Sequence, residues 1–131
     1  MTYLIDSDWV IDHLADVREA SELLDRLADE GIAISIITYM EAYQGTLRSP
    51  VAEAEALFNT FASGVPVIPL SRAVARRCAH LREILRRQGR KVNSRALDLL
   101  IAATALEHDL TLVTRNVEDY RDIPNLKLRQ E

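Results

Sequence analysis

An α/β fold is predicted, a mostly parallel sheet of four or five strands with helices on both faces, and three observations predict it. Short apolar runs recur without polar alternation, as strands buried on both faces require. Longer segments with helical spacing separate them, which is the order of a parallel sheet with crossover helices. Several of these segments close on a glycine, at Gly31, Gly64 and Gly89, where helices commonly stop.

In chain order, YLI at 3–5 is the first strand, followed by a helix over 9–15 and a second over 19–30. IAISII at 32–37 is the second strand, with helices over 39–47 and 51–63 behind it. VPVIPL at 65–70 is the third strand, LTLVT at 110–114 the fourth, and NLKL at 125–128 a weaker fifth. Two helices, 72–88 and 95–108, lie between the third and fourth strands, where simple alternation allows one. The basic segment GRKVNS at 89–94 must reposition the chain there. Its six residues reach about 20 Å when extended, and it is the one loop expected to be mobile.

With 131 residues and 48% hydrophobic content, the chain suits a single domain spanning 1–131 with a substantial core. No apolar stretch approaches the roughly 18 residues of a membrane span, and the opening MTYLIDSD lacks the pattern of a secretory signal. A cytoplasmic protein without membrane contact is expected. The single cysteine, Cys78, lies at an apolar helical position and reads as a core residue. His13, His80 and His108 have no zinc-type spacing.

The net charge is −4, yet nine of the sixteen basic residues fall between Arg72 and Arg95, alongside a single acid, Glu83. Such a stripe attracts a polyanion even on an acidic protein. It reads equally well as a solvated helix face, because Val74, Cys78, Leu81 and Leu85 keep helical spacing beside it.

The acids carry more information. In an open parallel sheet, ligands bind beyond the carboxyl ends of the strands, near the point where strand order reverses. Asp6 directly follows the first strand, Glu41 follows the second, and Asn116 and Asp119 follow the fourth. Asp98 opens the helix that leads to the fourth strand, inside the apolar run ALDLLIAATAL. Each has a local explanation. Thr38 and Glu41 spell a capping box, Asp8 suits a helix cap, and Asn116 with Asp119 could cap a short helix. For Asp98 that explanation falls short, since the helix dipole contributes about 0.3–1 kcal/mol, less than burying a carboxylate costs. A place at the mouth of a site accounts for it.

Converging carboxylates repel one another, and a divalent cation relieves that repulsion. Oxygen donors without histidine or cysteine favour Mg2+, with Mn2+ able to substitute. Such an ion can activate water and stabilise the charge that develops on a phosphodiester. The basic stripe would then hold a nucleic-acid backbone, with Arg86, Arg87, Arg90 and Lys91 as the residues in contact.

The strings LIDSDWVIDHL, SIITYMEAYQG and ALDLLIAATALEHDLTLVTRNVEDYRDI together resemble a PIN domain, specifically the VapC-like toxins of type II toxin-antitoxin pairs. The resemblance runs along essentially the whole chain and is most specific in the last string. It implies a PIN-like fold and a magnesium-dependent endoribonuclease acting on RNA, with Asp6, Glu41 and Asp98 as catalytic and metal-site acids. The family's fourth acidic position falls within TRNVEDY, where Asn116 is neutral; Asp119 is assigned that role and Asn116 orients ligand or water. Thr114 and Ser7 are expected to hydrogen-bond the site. A VapB-like antitoxin covering the active-site groove is also implied, as is a homodimer formed through the helices around 39–63.

Two alternatives differ in class. A receiver-like signalling domain has a similar sheet, but it wants an acid after the third strand and a lysine after the fifth. Here VIPLSR and RQE supply neither. A non-catalytic PIN-like module that binds RNA would retain the stripe without needing all the acids.

Overall fold

The computed structural model describes residues 1–131. Its elements run β1 (Tyr3–Ile5), α1 (Ser7–Leu14), α2 (Arg18–Ala28), β2 (Ile32–Ser35), α3 (Ile36–Arg48), α4 (Ala54–Ser63), β3 (Val67–Ile68), α5 (Arg72–Arg87), α6 (Ala96–Glu107), β4 (Thr111–Val113) and β5 (Leu128–Arg129). Short 3-10 turns at Asn93–Arg95 and Val117–Asp119 precede α6 and follow β4. All five strands pair in parallel, in the order β3-β2-β1-β4-β5. The α/β expectation holds, and β5 completes the sheet, though at Leu128–Arg129 rather than across NLKL at 125–128.

Side-chain alternation divides the core between the two faces. Leu4, Ala33 and Leu112 pack with Val74, Cys78, Leu81 and Leu85 of α5 and with Leu99, Ala102 and Ala103 of α6. Tyr3, Ile5, Ile34 and Val113 pack with Trp9, Leu23, Leu27, Ala42 and Phe58 from the first four helices. Because both faces are covered, the strands read as continuous apolar runs. Cys78 is buried in the first cluster.

The chain adds β2 and β3 on one side of β1, then crosses to place β4 on the other side. Strand order therefore reverses between β1 and β4. The crossing explains the two consecutive helices: α5 and α6 pack against each other beneath the sheet, and together they carry the chain from its β3 edge past β1. The 89–94 segment between them is tied down, since Arg82 donates to the Val92 carbonyl (3.3 Å) and to Asn93 Oδ1 (3.0 Å).

Three local expectations change. IAISII is not one strand: Ser35 ends β2 and caps α3, its hydroxyl accepting from the Thr38 amide at 3.0 Å, so Ile36 and Ile37 are helical. The capping box at Thr38 therefore does not form, and Glu41 sits in the second turn of α3. At α1 the cap is Asp6 rather than Asp8, with Oδ1 accepting from the Ser7 amide at 2.8 Å. The third strand shrinks to Val67–Ile68, since Pro66 and Pro69 flank it and neither has an amide proton for a ladder.

Candidate active site

The reversal point between β1 and β4 places Asp6 beside Thr114. Asp6 is buried, and Thr114 Oγ1, one residue beyond β4, donates to its Oδ2 at 2.7 Å. The Thr114 hydroxyl in turn accepts from the Asn116 amide at 3.0 Å. Both oxygens of Asp6 are thus fixed, Oδ2 by Thr114 at the neighbouring strand end and Oδ1 by the Ser7 amide at the start of α1, which Asp6 caps. Burial pushes the Asp6 carboxyl up to about 6, against the lowering effect of the Thr114 and Ser7 hydrogen bonds, while the charges of Asp98 and Asp8 raise it further.

Asp98 lies half-buried in the first turn of α6. Burial raises its carboxyl above the usual range; the Tyr120 hydroxyl and Arg95 oppose the shift, and Asp119 and Asp8 add to it. Glu41 joins from α3, accepting a short hydrogen bond from Ser7 Oγ, whose oxygen also lies 3.2 Å from Thr38 Oγ1. Tyr120 is almost fully buried among these groups. Burial is the main reason its hydroxyl holds its proton well above the normal tyrosine range, and the charges of Asp6, Asp98 and Glu41 add to the effect. The charges of three acids from three elements therefore act on one phenol, and one of them, Asp98, accepts from it.

Sequence reasoning missed Tyr120 and treated Asp8 as a cap. Asp8 is exposed, accepts from Asn116 Nδ2 at 2.8 Å, and its charge acts on both Asp6 and Asp98. Asp119 is also exposed, and its charge acts on Asp98. Its backbone carbonyl accepts from Arg95, which also holds Asp122 through two bonds of 2.8 Å. The spacing D-S-D at 6–8 and the amide at Asn116 were the available signals for Asp8; nothing in the sequence pointed to Tyr120.

No group of three or more His, Cys, Asp or Glu side chains is arranged to hold a metal ion by itself. That arrangement still suits magnesium, which keeps several waters and is commonly held by one or two carboxylates together with substrate phosphates. Asp98 is close enough for its charge to raise the proton affinity of Asp6, and all donors in the set are oxygens.

The basic stripe is partly neutralised within the chain. Arg86 and Arg87 both pair with Glu83, at 2.7 and 2.8 Å, and those hydrogen bonds hold its carboxyl down at about 2. Arg90 lies 3.7 Å from Asp122, and Lys91 is exposed with no ion-pair partner. Arg90, Arg95 and Arg121 line an opening beside Asp119.

The PIN domain family model matches residues 3–126. Ribonuclease VapC19 of Mycobacterium tuberculosis is 33% identical over 126 residues, covering 95% of this chain and 96% of that protein. Ribonuclease VapC10 of the same organism is 35% identical over 126 residues, covering 95% and 90%. Among solved structures, VapBC2 from Rickettsia felis bound to a promoter DNA fragment superposes with a TM-score of 0.87 and 28% identity, covering 100% of this chain and 99% of that one. With this sheet order and with acids at the reversal point, the chain belongs to the PIN domain family and is related to the VapC ribonucleases.

Proposed function

We propose that this protein is a magnesium-dependent endoribonuclease, folded as a single domain over 1–131, and the toxin of a type II pair. The observation that carries the reading is the placement of Asp6 and Asp98 on either side of the strand-order reversal, close enough for the charge of Asp98 to raise the proton affinity of Asp6. The ribonuclease relatives and the toxin-antitoxin complex of similar fold support it.

Asp6 and Asp98 would hold Mg2+, or Mn2+ in its place, with Glu41 lining the same opening as Asp98. A bound divalent ion would supply an activated water and charge stabilisation at the phosphodiester. Thr114 keeps Asp6 in place and Ser7 keeps Glu41, so neither acid has to reorganise when substrate arrives. Asn116 orients Asp8, and Asp8 and Asp119 compete for the fourth acidic role. Arg90 and Lys91 would meet the RNA backbone, with Arg86 and Arg87 contributing less because Glu83 offsets them. Met40, Leu47, Val51 and Leu57 are exposed apolar residues of the 39–63 region, which suits a homodimer face, and a VapB-like antitoxin would cover the groove. No helix is long and apolar enough to cross a membrane.

Incubation with a mixed RNA pool tests the reading. Cleavage to discrete fragments is expected with Mg2+ and none with a chelator. Binding without cleavage in either condition would favour the non-catalytic RNA-binding alternative.

The fourth acid is decided by a pair of variants. Asp8→Asn is expected to lower cleavage more than Asp119→Asn, on the order of tenfold, because Asn116 holds the Asp8 carboxylate in place and its charge reaches both Asp6 and Asp98. Rates measured at saturating Mg2+ check this. The reverse order would restore Asp119.

A further inference from the structure

Each of the three central acids receives a hydroxyl from a different part of the chain. Thr114 donates to Asp6, Ser7 to Glu41, and Tyr120 Oη to Asp98 Oδ1 at 3.3 Å. The first two were legible as neighbours of the site. The third comes from the turn after Val117–Asp119, and its residue belongs to the same buried core as Leu99, Ile101 and Ile123. Tyr120 is 1% exposed, so its hydroxyl has no route to bulk water and depends on partners inside the site.

We propose that Tyr120 is a positioning residue for Asp98, its hydroxyl holding Oδ1 so that Oδ2 stays free to face Asp6 and a divalent ion. The proposal rests on the metal-site reading above. Three features of the geometry carry it. Asp98 takes no other side-chain hydrogen bond, so without the phenol nothing within the chain fixes its carboxylate. The donor sits on a rigid support, because the tyrosine ring is part of the packed core beneath the sheet while Asp98 stands only half-buried. The contact also joins α6 to the turn that follows β4, two elements that the fold brings together and that both lead to the site. A 3.3 Å separation is long for O–H···O, and hydrogen bonds at catalytic carboxylates commonly tighten only when the site fills. Hydrogen-bond partners of metal-binding side chains typically change metal affinity or activity by tenfold or more when removed.

Tyr120→Phe removes the oxygen and keeps the ring. Mn2+ binding, followed by the electron paramagnetic resonance signal of free Mn2+, is expected to weaken about tenfold, and kcat on RNA should fall while KM for RNA stays at the wild-type value. In an Asp98→Asn background the same change should add almost nothing, since the hydroxyl acts through that carboxylate. Equal Mn2+ affinity and kcat in wild type and Tyr120→Phe would overturn the proposal, as would full additivity with Asp98→Asn. Fluorotyrosine-labelled wild-type protein gives a readout that does not depend on the variant folding. Of the four tyrosines, Tyr120 should be the one most broadened by substoichiometric Mn2+, and stronger broadening at Tyr3, Tyr39 or Tyr43 would overturn the assignment. Wild-type protein that binds no Mn2+ would defeat the metal-site reading itself, a result distinct from a wild type that binds Mn2+ no better than Tyr120→Phe.

Discussion

Asp98→Asn is expected to abolish RNA cleavage, by at least about a hundredfold, while leaving the fold intact and the metal-free protein as stable as wild type or more so. The loss follows from charge. A metal-assisted phosphodiester reaction draws several kcal/mol from charge stabilisation at the ion, and each 1.36 kcal/mol is about tenfold in rate. The gain in stability follows from the same charge: the Asp98 carboxylate is disfavoured by burial and by the nearby acids Asp119 and Asp8, with only Tyr120 and Arg95 acting the other way. Asparagine removes the charge and can still accept from Tyr120 through its carbonyl oxygen. Cleavage assays and thermal melts followed by circular dichroism check both halves. An inactive variant that has also lost helicity would show that Asp98 serves the fold of α6 instead.

That outcome bears on what could be read from the sequence. Asp98 was legible because one carboxylate interrupts a run that is otherwise apolar, and no local capping energy covers the cost. Glu41 was ambiguous because Thr38-x-x-Glu41 imitates a capping box; only the cap at Ser35, three residues earlier, releases Glu41 to the site. The strands were legible as apolar runs, but their ends were not. Ile36 and Ile37 would suit a strand equally well, and a short apolar run contains no signal that separates a buried strand from the first turn of a buried helix. The two-helix crossing between β3 and β4 depends on strand order, which adjacent residues do not encode. Tyr120 lay beyond reach for a similar reason. It stands 22 residues from Asp98, and their contact exists only because β4 returns beside β1.

The second large effect concerns Asp6 and has a defined direction with pH. Its folded-state carboxyl is raised from 3.8 to about 6, mainly by burial, so between those values the folded state binds more protons than the unfolded state. Stability contributed by this group must therefore fall as pH rises from about 4 to 6, and the penalty is complete above that range. At 1.36 kcal/mol per unit it amounts to about 3 kcal/mol. Asp98, also raised, acts in the same sense. Asp6→Asn lacks the first of these contributions, and asparagine remains a good cap for α1, so the variant should gain stability over wild type on going from pH 4 to pH 7 without metal. A divalent ion reverses the comparison. Protons and metal compete for the same carboxylate, so Mn2+ should stabilise wild type strongly at pH 7 and weakly at pH 5. At a hundred times its dissociation constant the gain is about 2.7 kcal/mol, which a melting curve resolves easily. Asp6→Asn should show little response to Mn2+ at either pH. Parallel pH profiles for the two metal-free proteins would mean that Asp6 titrates as it does in the unfolded chain, and equal Mn2+ shifts at pH 7 would remove Asp6 from the site.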